Sequence, residues 1–63
     1  MQDLSVSEQS TMDLYRTVCE YAERVAPRER AAFVDADLAD VLGELEARNT
    51  AHARAALAVW GAR

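Results

Sequence analysis

Apolar residues recur along this chain in two helical rows that a single proline separates. Leu14, Val18, Tyr21 and Val25 follow one another at spacings of 4, 3 and 4, and Met12, Tyr15, Cys19, Ala22 and Ala26 trace the neighbouring row. That periodicity lays one broad apolar face along a helix. Val34, Leu38, Val41 and Leu45 repeat the same spacings, flanked by Ala31 and Leu42. A second helix of the same kind is therefore predicted.

Punctuation in the sequence sets the expected limits of these elements. Ser5 with Glu8 has the form of a capping box, and Ser7 and Ser10 are further candidate caps, which gives a flexible N-terminus over residues 1–6 and a first helix over about 7–25. Pro27 lacks a backbone donor and pushes Ala26 out of helical geometry, yet it is well suited to the first position of a new helix. The second helix is thus expected over about 27–48. A connection this short makes the two helices antiparallel neighbours.

Beyond residue 48 the reading divides. Asn49 can close a helix in the left-handed region and Thr50 can cap the next, which yields a third helix over about 50–61 with Ala53, Leu57 and Trp60 facing inward. Without that break the second helix extends past its partner and displays His52, Ala56, Val59 and Trp60 uncovered. The fold class is all-α either way: an antiparallel hairpin with a third helix or a helix extension, forming a small dimeric helical bundle.

Length and composition explain why a dimer is expected. The chain has 63 residues, enough for a single small helical domain over residues 1–63, and a domain of that size buries only about 60% of the surface its unfolded chain exposes. Hydrophobic residues are 51% of the total, but thirteen of them are alanines, which favour helix and add little core volume. Cys19 is the one cysteine and His52 the one histidine, so neither an intrachain disulfide nor a four-ligand zinc site can supply the missing stability. Association with another chain remains.

The candidate chemistry is sparse, and no catalytic, cofactor-binding or metal-binding set is expected. Cys19 lies in an apolar row, where a small buried hydrophobe is the natural reading, and nothing in the pattern pairs it with His52 as nucleophile and base. The carboxylate pattern lacks the Glu-x-x-His pairs of metal sites in helical bundles. Asp37, Asp40 and Glu44, with Phe33 one turn earlier, form a stripe at helical spacing. This stripe and Trp60 are the expected partner-binding residues: Phe33 as an apolar anchor, carboxylates for a basic surface, Trp60 as a core lid or an interface anchor.

Net charge is −4, which disfavours nucleic acid, although Arg24, Arg28 and Arg30 cluster at the turn and are the residues a nucleic-acid-binding dimer would use. No run approaches the roughly 18 apolar residues of a membrane span, and the polar, acidic start is unlike a secretory signal. An unpaired cysteine suits the reducing cytoplasm. The absence of lysine and isoleucine, with so many alanines, suggests a GC-rich bacterial or phage genome. Taken together these features lead to the expectation of a non-enzymatic regulator, an inhibitor or adaptor that binds another protein; a nucleic-acid-binding hairpin dimer and an accessory subunit of a larger enzyme are the alternatives.

Overall fold

A computed structural model describes residues 5–61 and is all-α, with no strand among the described residues. Three helices pack on one another: α1 (Thr11–Arg24), α2 (Ala36–Arg48) and α3 (Ala51–Gly61). Short 3₁₀ turns at Val6–Glu8 and Pro27–Ala32 precede α1 and α2. No helix among the described residues is long and apolar enough to cross a membrane.

Local chemistry fixes where each helix starts and stops. The capping box of Ser5 and Glu8 is present, but it opens only the 3₁₀ turn; the Ser5 backbone and hydroxyl both donate to the Glu8 carboxylate, at 3.2 and 2.8 Å. Those hydrogen bonds favour the charged form and hold the Glu8 pKa below its ordinary value. Ser10 is the true cap of α1, its hydroxyl accepting from Asp13 N at 3.1 Å. The first helix therefore begins at Thr11, later than the approximate limit of 7, and of the expected flexible N-terminus Ser5 and Val6 lie in a hydrogen-bonded turn. Residues 1–4 of that segment lie outside the described residues.

The second helix is the larger correction. The chain does break at Ala26, which takes the extended conformation that a following proline imposes. Pro27 then starts a 3₁₀ turn whose bonds run from Glu29 N to Ala26 O and from Phe33 N to Arg30 O. Phe33 to Asp35 are extended, and α2 starts only at Ala36, because the Asp35 carboxylate accepts from Leu38 N at 3.0 Å and caps it. Val34 consequently falls outside the helical row it was expected to begin. It is 92% exposed.

Asn49 and Thr50 divide α2 from α3 as their residue types suggested. Asn49 has φ 49° and ψ 40°, the only positive φ at a non-glycine among the described residues, and Thr50 Oγ1 accepts from Ala53 N. Arg54 ties down the junction by donating to both the backbone oxygen and Oδ1 of Asn49. The third helix, and not a continuation of the second, is what the chain forms.

Leu14 and Val18 of α1, Val41 and Leu45 of α2, and Ala53 and Ala56 of α3 make the core. The two alanines bring α3 close against α1, with Leu57 and Trp60 packed at the edge of the cluster. Two arginines lace the ends of the bundle. Arg48, in the last turn of α2, pairs with Glu44 at 3.0 Å and donates to Thr11 Oγ1 and to the carbonyls of Val6, Ser7 and Gln9, strapping the N-terminal turn down. At the opposite end Arg30 donates to Ala22 O of α1, to Val25 O at its C-cap, and to Val59 O and Trp60 O of α3. The C-terminal ends of α1 and α3 thus lie side by side, and one guanidinium offsets the negative ends of both helices.

Candidate docking cleft

The extended link before α2 and the end of α3 enclose an apolar cleft of about 150 Å³. Phe33, Val34 and Asp35 of the link form one wall, Leu38, Ala39 and Leu42 of α2 the floor, and Trp60 the far side. A ladder of rings fixes its shape. Tyr21 and Phe33 have centroids 6.0 Å apart at 60°, and Phe33 and Trp60 5.9 Å apart at 58°, the tilted geometry that aromatic pairs prefer. Arg30 lies over the Trp60 ring at 5.3 Å while it binds the helix-end carbonyls, so the side chain that joins the helix ends also orients the indole.

At the foot of the ladder the Tyr21 hydroxyl donates to Asp35 Oδ1 at 3.2 Å, the same oxygen that caps α2. Burial raises the Tyr21 pKa above its ordinary value of 10.0, and the negative charges of Asp35 and Asp37 reinforce the shift against the opposing pull of Arg24. The aromatic wall and the start of α2 are therefore one connected unit.

Of the expected recognition stripe, the three carboxylates stay together on α2 and Phe33 lies apart from them. At about 100° per residue, Asp37, Asp40 and Glu44 fall on one flank of the buried row of Leu38, Val41 and Leu45, while Leu42 and Ala39 fall on the other. Phe33 is not on the helix at all and joins the cleft side with Trp60. Asp37 and Asp40 are exposed, and Glu44 is held by Arg48. Trp60 is half-buried, both a lid for the core edge and a wall of the cleft.

Of the arginines at the turn, Arg24 and Arg28 are exposed, but Arg30 is half-buried with its guanidinium committed to carbonyls. A phosphate could engage Arg30 only by taking apart the helix ends. Cys19 is half-buried and His52 exposed, and no group of three or more His, Cys, Asp or Glu side chains that could hold a metal occurs among the described residues.

Val34, Asp35, Leu38, Ala39 and Leu42 line the cleft but were not among the expected partner-binding residues. Asp35 carried a usable signal, since an aspartate three residues before Leu38 can cap a helix starting at Ala36. Moving the start of α2 to that point would have released Val34 from the inner row. No family model, curated protein or solved structure matches this chain, so what the cleft does must be argued from its own chemistry.

Proposed function

We propose that this chain acts by binding another protein chain and performs no chemistry of its own: a small acidic regulator, inhibitor or adaptor of bacterial or phage type, working in the cytoplasm. The observation that carries the reading is Val34. A valine 92% exposed on the lip of an apolar, aromatic-walled cleft is surface that water disfavours and a protein partner would cover. The small core and the single unpaired cysteine support the same reading, because the chain has few other means of gaining stability. Asp37 and Asp40, exposed on the opposite flank of α2, and the net charge of −4 suit a basic surface on whatever partner the regulator addresses.

A photo-crosslinking residue placed at position 34 tests this in the cells that make the protein. The site is exposed, so the replacement leaves the core untouched. The reading predicts a protein adduct of discrete mass from position 34 and none from a control at Ala47, which is exposed away from the cleft. No adduct, or equal adducts at both positions, would refute it.

A further inference from the structure

The turn before α1 is attached to the bundle in a way that none of the helices is. No residue of Val6–Glu8 is buried, and its contribution to the core is Val6, half-buried against the edge of the cluster. Its own hydrogen bonds are local. Ser5 donates twice to the Glu8 carboxylate, Glu8 N donates to Ser5 O at 2.9 Å, and Gln9 N donates to Val6 O at 3.3 Å. Such bonds shape the turn without tying it to the helices.

Arg48 ties it. The Arg48 Nε is held by Glu44 at 3.0 Å, one turn back on α2, which leaves the two terminal nitrogens of the guanidinium to face the N-terminal segment. One donates to Thr11 Oγ1 at 3.0 Å, and the other to the carbonyls of Val6, Ser7 and Gln9 at 3.2, 3.4 and 2.6 Å. We infer that residues 5–9 are a strap that undocks from the bundle while the three helices stay folded, with Arg48 as its latch and Glu44 as the positioning residue that aims the latch.

The backbone supplies the hinge. Gln9 and Ser10 are extended between the turn and α1, with ψ 150° and 157°, and Ser10 caps α1 through its own hydroxyl, which accepts from Asp13 N. Rotation about Gln9 therefore moves the turn and leaves the cap in place. A segment with little buried apolar surface and hydrogen bonds facing water opens at a lower free energy than the core it rests on. Arg30 is the contrasting case. It joins the ends of α1 and α3, which both carry core residues, so its release would open the bundle itself.

Opening has a defined result. Val6 leaves the edge of the core and uncovers apolar surface at the end of the bundle away from Arg30. No residue of the strap lines the cleft, so the strap works independently of the docking surface proposed above.

Native-state hydrogen exchange on the full chain, followed by nuclear magnetic resonance, tests the inference. In the parent, the amides of Glu8 and Gln9 should exchange about a hundredfold or more faster than those of the core residues Val18, Val41 and Ala56. Arg48→Gln should speed the two strap amides by a further tenfold or so, because charge-assisted bonds are lost, and leave the three core amides within about twofold of the parent. Glu44→Gln keeps the guanidinium and removes the charge that aims it, so it should speed the strap amides by a smaller factor and the core amides not at all. Strap amides that exchange only as fast as the core would overturn the inference. So would Arg48→Gln or Glu44→Gln variants in which strap and core accelerate together, or in which the strap is unchanged.

Discussion

Arg30 and Trp60 are joined twice: the guanidinium lies 5.3 Å from the centre of the indole and donates to the Trp60 carbonyl at 3.3 Å. The same guanidinium reaches Ala22 O and Val25 O at the end of α1, so one side chain closes the bundle and sets the far wall of the cleft. Only a planar fork of donors can serve carbonyls in several directions while stacking on a ring.

Arg30→Lys should therefore behave as a severe substitution despite conserving the charge. An ammonium can satisfy some of the carbonyls but leaves others at the two helix ends unpaired, for a loss of about 2 kcal/mol, or roughly 10 °C in melting temperature. Near-ultraviolet circular dichroism should report the loosened Trp60. Melts of the two proteins must be compared at equal concentration, because association raises the apparent stability.

Asn49 occupies a left-handed conformation that closes α2. Replacing it by alanine puts a Cβ penalty of about 1 kcal/mol or more into that turn and removes the acceptor of Arg54. Asn49→Gly relieves the strain and loses only the side-chain bond. Chemical denaturation should rank glycine above alanine, and the reverse order would deny that the backbone angle matters.

Gly43 sits exposed in the middle of α2, with open space where a Cβ would go. Gly43→Ala should stabilise the fold by about 0.5 to 1 kcal/mol through reduced freedom of the unfolded chain. An unchanged or lowered denaturation midpoint would mean that this face of α2 meets something the single chain does not contain.

Tyr21 gives the fold an alkaline limit. Its folded pKa is raised above 10.0, so the contribution of the neutral hydroxyl is fully present below pH 10 and is lost as pH rises through the folded value. Stability measured across that range should fall for the parent and fall less for Tyr21→Phe, which lacks the group that ionises. Equal slopes would detach the hydroxyl from Asp35.

How much of this could be read from the residues alone differs from element to element. The row of Leu14, Val18 and Val25 and the break at Asn49 and Thr50 were legible because periodicity and caps act within a few residues of the chain. The start of α2 was not. Pro27 and the alanines after it are good helix material, and they hid the decision made by Asp35, which caps a helix nine residues further on. Val34 fits the period of the inner row by spacing alone, and only the extended link turns it outward.

The cleft was less legible than the fold, because it brings together residues distant in sequence. Phe33 and Trp60 both stood out as aromatics, but nothing local says that they touch. Arg30 looked like part of a basic spot with Arg24 and Arg28, whereas its charge is spent inside the molecule on carbonyls that every helix end leaves open. Asp37, Asp40 and Glu44 do share a flank, as helical arithmetic requires, but which neighbours that flank has is a matter of tertiary packing.

The central claim is that the cleft beside Phe33 and Trp60, with Val34 exposed on its lip, is a docking surface for a partner protein, and a photo-crosslinking residue at position 34 reports on it directly. In the cells that make the protein, a protein adduct of discrete mass should form from position 34 and none from the exposed control position Ala47. No adduct from position 34, or equal adducts from the two positions, would contradict it.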